Sequence, residues 1–148
     1  MDKFNLEVIS NVVSEASLGR TELCLQLKIN GQVIANGHSY PINPIELLKA
    51  KDESGSYEIW TCNCGIAECA GISTNVNVTH EKNTIKWQWT DMPFAKDSLY
   101  VFDLQEYQTD INLAWKKFKE IAREYKKNKI EFDIYPDPLF TGLSKIIT

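Results

Sequence analysis

Three cysteines lie close together in the middle of the sequence, at the spacing C-x-C-x4-C. Cys62, Cys64 and Cys69 are the side chains best suited to chemistry, because thiolates bind soft metal ions, form disulfides and act as nucleophiles. Gly65 and Gly71 lie beside them. The cluster therefore predicts a metal site, a small disulfide loop, or a tight turn in which the sulfurs pack as small hydrophobic groups.

A structural zinc ion requires four tetrahedral ligands, so zinc binding by this cluster needs one ligand from elsewhere in the chain. The candidates for that fourth ligand are Cys24, His38 and His80. Alternation along its strand predicts that Cys24 lies on the polar face, from which it could approach the cluster. In this interpretation the protein is a small zinc-binding structural protein that uses Cys62, Cys64 and Cys69.

The other two interpretations need no metal. A reducing cytosol favours free thiols or metal ligands over structural disulfides, and thioredoxin-type redox chemistry needs a C-x2-C motif that the sequence lacks. In the turn interpretation, Gly65 and Gly71 adopt left-handed or close-approach backbone conformations where the chain leaves one strand and enters the next. The residues favour this structural corner and leave the metal site open.

Length and composition predict one soluble domain over residues 1–148. The chain has 148 residues, of which 43% are apolar, enough for a core that needs neither metal nor disulfides to fold. The first residues lack a charged region followed by an apolar run, and no stretch approaches the roughly 18 apolar residues of a membrane span. We therefore expect a cytoplasmic location and no contact with membranes.

The sequence contains no recognisable catalytic constellation. It has two histidines, and neither has a nucleophile and an orienting acid nearby in sequence. Phosphate-binding, dinucleotide-binding, serine-hydrolase and zinc-protease motifs are all missing. We therefore predict that the protein is not an enzyme.

Charge is distributed unevenly along the chain, whose net charge is −4. Residues 116–129 carry seven cations and two anions, whereas residues 91–110 carry five carboxylates and one lysine. An acidic surface attracts a basic partner and repels nucleic acid. The candidate partner-binding residues are therefore the five carboxylates, Asp91, Asp97, Asp103, Glu106 and Asp110. A solvated face that keeps the protein soluble is the alternative.

Periodicity predicts the elements that position these residues. Alternating apolar residues indicate strands near 4–8, 23–29, 32–36, 57–62, 76–79, 85–89, 99–104 and 130–134, with a loop at 51–56. Asn30-Gly31 predicts a type I′ hairpin turn. A capped helix is expected near 43–49, and a long amphipathic helix from about Asp110 to Lys127, capped by Thr109 or Asp110. The predicted fold is α+β, a mostly antiparallel sheet built from hairpins with one long helix packed on one face.

The cysteine segment also resembles a known group of proteins. The pattern is Trp60-x-Cys62-x-Cys64-Gly65-x3-Cys69-x-Gly71-Ile72, followed by Ile85-x-Trp87. It resembles small uncharacterised bacterial proteins with a C-x-C-G-x3-C corner and a tryptophan-bearing strand, over approximately residues 60–89. Members of comparable size include candidate immunity proteins of polymorphic toxin systems. The resemblance therefore implies an inhibitor that binds a toxin domain, and it carries over no binding residue.

These observations lead to one expected function. We expect a cytoplasmic immunity protein that neutralises a cognate bacterial toxin by direct binding. Its acidic residues would face a basic toxin domain, such as the cationic site of a nuclease. The alternative is the zinc-binding structural protein described above.

Overall fold

The computed structural model describes residues 1–12, 21–35, 39–62, 64 and 66–136. These residues form eight strands and two helices, which confirms the predicted α+β fold. The strands are β1 (Phe4–Val12), β2 (Thr21–Ile29), β3 (Gln32–Val33), β4 (Gly55–Tyr57), β5 (Val76–His80), β6 (Thr84–Trp89), β7 (Ser98–Asp103) and β8 (Phe132–Ile134). The helices are α1 (Pro44–Asp52) and α2 (Leu104–Lys127). Strands pair antiparallel except for β2 with β8.

The first sheet is built on the long hairpin of β1 and β2. Asn30 and Gly31 join β2 to β3 with φ values of 54° and 80°, as the predicted type I′ turn requires. β2 pairs with β1 on one side and with β3 and β8 on the other, so β1 is an edge strand of the sheet that the described residues form. Cys24 was expected on a polar face, but it is only 2% exposed because β2 is buried on both faces at this point.

The second sheet has the strand order β4-β5-β6-β7. The predicted hairpin of β5 and β6 is confirmed, with Ile85, Trp87 and Trp89 buried on one face. The predicted loop at 51–56 and strand at 57–62 are wrong in their bounds. α1 continues to Asp52, and β4 occupies Gly55–Tyr57, where pairing with β5 overrides the polar, glycine-containing local sequence.

The long helix starts six residues earlier than predicted. Asp103, not Thr109 or Asp110, is the N-cap, and its side chain accepts a hydrogen bond from the Glu106 backbone N–H at 2.9 Å. The predicted apolar stripe is extended by Tyr107, which is fully buried. Among the described residues, no helix is both long and apolar enough to cross a membrane.

Aromatic side chains join the two sheets and α2 into one core. Asp2 exchanges two hydrogen bonds with the backbone of Val101, which places the start of β1 beside β7. The ring of Phe4 then packs edge-on against Trp87 and Tyr107, with centroids 5.7 and 4.9 Å apart. Beyond its first residues β1 diverges from β7, and α2 packs alongside β1.

Candidate metal centre

The three clustered cysteines lie on the connection from β4 to β5, and the chain just before them is firmly held. Trp60 is 1% exposed and forms an antiparallel bridge with Ile42. The Thr61 N–H donates to the Pro41 carbonyl at 3.0 Å. The indole of Trp60 also packs against Trp89, with ring centroids 5.2 Å apart. The first thiol therefore follows directly from a rigid part of the core.

A tight turn and a short helix bring the third thiol back toward the first two. The Cys62 N–H donates to the Ile66 carbonyl at 3.3 Å, which closes the turn. A 3₁₀ helix spans Glu68–Ala70, and it ends at Gly71, whose φ of 76° is the left-handed conformation that glycine adopts at little cost. The prediction for Gly71 is confirmed, and Gly65 lies outside the described residues.

The sulfur atoms of Cys62, Cys64 and Cys69 all lie within 4.8 Å of one another. All three cysteines are free thiols; Cys62 and Cys64 are half-buried and Cys69 is exposed. Sulfurs bound to one tetrahedral zinc at about 2.3 Å are separated by roughly 3.8 Å, so a small contraction of this triangle would suit a zinc ion. The exposure of Cys69 argues against the interpretation in which all three sulfurs pack as small core hydrophobes.

The thiols influence one another electrostatically. Hydrogen bonding to Cys62 and then to Cys64, together with the charge that those thiolates would carry, raises the pKa of Cys69 to about 11. Three thiolates in such proximity repel one another unless a cation lies among them. The cluster therefore has the ligand type and the crowding of a cation site.

The described residues supply three ligands to this site. Cys24 is buried in β2, and burial, with the charge of Glu22 as a smaller cause, raises its pKa to about 12. His80 directs its Nε2 to the Ala50 carbonyl at 3.0 Å. Neither belongs to the cluster of potential ligands that the described residues form. The third candidate for the fourth ligand, His38, lies outside the described residues.

The five acidic residues predicted to bind a partner do not form a single patch. Asp91 and Asp97 lie on the connection from β6 to β7, where the Asp91 N–H donates to the Asp97 carboxylate at 3.4 Å. The other three lie beyond the opposite end of β7, a strand length of roughly 17 Å away. They are Asp103, Glu106 and Asp110, and they line one groove of about 500 Å³.

Two of these three carboxylates also have structural roles. Asp103 caps α2, and Asp110 accepts a hydrogen bond from the Leu6 backbone N–H at 2.6 Å. Burial raises the pKa of Asp110, while the Leu6 hydrogen bond and the charge of Lys3 act in the opposite direction. Glu106 is exposed.

A second groove of about 420 Å³ continues from the first, and it was not predicted from the sequence. It lies between β1 and α2, and both grooves include Asp110. The wall from α2 contains Leu113 and Lys117, which continue the three- and four-residue spacing from Asp103. That spacing was the available sequence signal, but it depends on the helix beginning at residue 104.

Comparison with known proteins adds no family and no relative. No protein-family model matches this chain, and neither a curated protein nor a solved structure matches it significantly.

Proposed function

We propose that this protein binds zinc through Cys62, Cys64 and Cys69, and that the metal fixes the loop between β4 and β5. The observation that carries the proposal is the convergence of three sulfur atoms within 4.8 Å. Burial alone does not account for this convergence, because Cys69 is exposed. Thiols are weak hydrogen-bonding groups, whereas their bonds to a metal are strong enough to organise a loop.

Zinc fits this donor set better than the other common metals. Thiolates favour zinc, copper(I) and iron–sulfur clusters over magnesium and calcium, and iron–sulfur clusters usually need four cysteines. Zinc accepts three thiolates with a fourth ligand of another type. In this proposal the fourth position is filled by water or by His38.

Elemental analysis of protein purified without chelators tests the proposal. The wild type is expected to retain close to one zinc per chain, because a site of this kind holds zinc through purification. Serine substitution at Cys62, Cys64 or Cys69 is expected to remove the metal. Cys24→Ala is the control, since it removes a cysteine outside the cluster, and it should retain zinc. A content below about 0.2 zinc per chain in the wild type would contradict the proposal.

The variant His38→Ala distinguishes the two sources of the fourth ligand. Loss of zinc assigns that position to His38, and retention assigns it to water. Both outcomes are compatible with three thiolate ligands, which the serine variants test separately.

We propose a second function, neutralisation of a cognate bacterial toxin by direct binding in the cytoplasm. The observation that favours it is the convergence of Asp103, Glu106 and Asp110 on one open groove. Lys3 is the cation that also lines this groove, so the carboxylates outnumber it three to one. Such a surface attracts a basic domain and accelerates its association.

Co-purification with the product of the adjacent upstream gene tests the second function. A stoichiometric complex is expected, and Glu106→Lys should weaken it about tenfold because it reverses an exposed charge in the groove. Glu120→Lys is the matched control, since it reverses an exposed charge farther along α2. The second function should be abandoned if that neighbour encodes no toxin domain and nothing binds stoichiometrically.

A further inference from the structure

We propose that the edge of β1 that faces away from β2 binds an extended segment of a partner protein as an added strand, with a basic residue of that segment at the acidic end of the groove. This inference deepens the partner-binding function proposed above and rests on it. The site lies between β1 and α2 and consists of the two grooves described above, which share Asp110. It runs along Lys3 to Ile9, a length of roughly 20 Å.

The direction of the backbone groups on β1 carries the first step. The Asn30 N–H donates to the Lys3 carbonyl, so odd-numbered residues of β1 form the hydrogen-bonded pairs with β2. Even-numbered residues therefore direct their N–H and C=O groups away from β2. Leu6 confirms this direction, because its N–H donates to Asp110 on α2.

In the part of the chain that the structure describes, the outward backbone groups at Val8 can reach a ligand. The C=O of Leu6 and both backbone groups of Val8 face the groove, and among the described residues no backbone hydrogen bond outside β1 and β2 reaches Val8. Exposed strand edges of this kind bind extended peptides through main-chain hydrogen bonds. Asp110 occupies the edge at the Leu6 N–H, and Tyr125 of α2 contacts the Ser10 hydroxyl. Among the described residues, the backbone groups of Val8 lie open between these two contacts.

The groove wall identifies the chemistry of the ligand. Asp103, Glu106 and Asp110 lie at one end of the α2 wall, and Leu113 lies farther along it with 62% of its surface exposed. Glu7 on the rim is already neutralised by Lys28 at 2.9 Å. The wall therefore fits a segment with a lysine or arginine at one end and an apolar side chain about two residues away or more.

Amide hydrogen exchange of the free protein tests the edge itself. The Val8 amide is expected to exchange much faster than those of Glu7 and Ile9, which are bonded to β2. Slow exchange at Val8 in the monomer would mean that another part of this chain covers the edge, and slow exchange in a dimer would mean that a second copy covers it. Either result would overturn the proposal.

Selection from a displayed library of random peptides about eight residues long tests the ligand, since that length spans the groove. Peptides with a terminal cation and alternating apolar residues are expected, and their binding should protect the Val8 amide. Val8→Pro removes the outward N–H without removing a bond to β2, and should weaken binding about tenfold relative to Val8→Thr.

Leu113→Ser tests the same groove without altering the strand. It should weaken peptide binding about tenfold, whereas Leu99→Ser should leave binding unchanged, because Leu99 is a similarly exposed leucine on β7. Peptides that bind all of these variants equally would overturn the groove. A toxin complex that survives Val8→Pro and Leu113→Ser would overturn the groove and leave the second proposed function intact.

Discussion

At the scale of single residues, the four cysteines have different environments although they are chemically alike. Cys24 is packed in the interior of a sheet, while Cys62, Cys64 and Cys69 share a surface loop. Sequence spacing identified the three as a group. It could not show that their sulfurs converge, because that depends on a turn closed by Cys62 and a 3₁₀ helix that ends at Gly71.

Tyr107 shows a second residue whose role the sequence did not reveal. Its hydroxyl donates to the Ala50 carbonyl at 2.9 Å and accepts a hydrogen bond from the Trp87 indole at 3.3 Å. It thus connects α1, α2 and β6 inside the core. Burial raises its pKa far above the ordinary value, so the hydroxyl remains protonated and able to donate.

Tyr107→Phe is expected to lower the free energy of unfolding by about 1–3 kcal/mol, because it removes the acceptor of the buried Trp87 indole N–H and one of the hydrogen bonds to the Ala50 carbonyl. Urea denaturation followed by tryptophan fluorescence would measure the change. Tyr100→Phe is the control, since the half-buried Tyr100 takes no part in this network, and it should cost much less. Equal effects of the two substitutions would contradict the assigned role.

At the scale of elements, periodicity predicted long-range partners less well than local structure. The β2–β3 turn, the β5–β6 hairpin and the body of α2 follow from local residue patterns, and the structure confirms them. The bounds of β4 were wrong because Gly55 and Ser56 form a strand only by pairing with β5. The start of α2 was missed because Asp103 was interpreted as part of a charged surface, whereas it is the helix cap.

Asp110 couples α2 to β1 and gives a pH-dependent prediction. Its pKa in the folded protein lies above the ordinary value of 3.8 because it is partly buried. The contribution of Asp110 to stability is therefore greatest below pH 3.8, its ordinary pKa, and is lost as the pH rises through the folded-state pKa. Asp110→Asn keeps an oxygen acceptor for the Leu6 N–H but cannot ionise.

The stability of Asp110→Asn relative to the wild type should therefore increase as the pH rises from about 3.5 to 6. Denaturation measured at several pH values would show the trend, with Glu120→Gln as an exposed control. If the stability of Asp110→Asn relative to the wild type instead decreased as the pH rises, the interactions of Asp110 with Leu6 and Lys3 would outweigh its burial. That result would contradict this account of Asp110.

At the scale of the whole molecule, the core and the thiol cluster are largely separate. The core contains both sheets, both helices and a group of packed aromatic rings, and it extends to Trp60, Ala67 and Ile72, whereas the three clustered cysteines lie at its margin, half-buried or exposed. The sequence anticipated this separation, because a chain of 148 residues can bury enough apolar surface to fold without metal. It could not locate the groove beside β1, which depends on how two sheets diverge and where α2 lies.

Removing the metal should therefore leave the fold intact. After treatment with a chelator, the near-ultraviolet circular dichroism of the core tryptophans should persist, and amide protection should decrease mainly in residues 62–72. Serine substitution at Cys69 should produce the same local change, with no additional effect of chelator. Global unfolding on chelation would contradict the separation of core and metal site.

The central claim is that three thiolates bind one zinc ion. Zinc X-ray absorption spectroscopy of the purified protein tests it directly, because it counts the sulfur atoms around the metal and measures their distance. The account predicts three sulfur ligands at about 2.3 Å and one lighter ligand. A first shell containing only nitrogen and oxygen, or a protein that binds no zinc to measure, would contradict it.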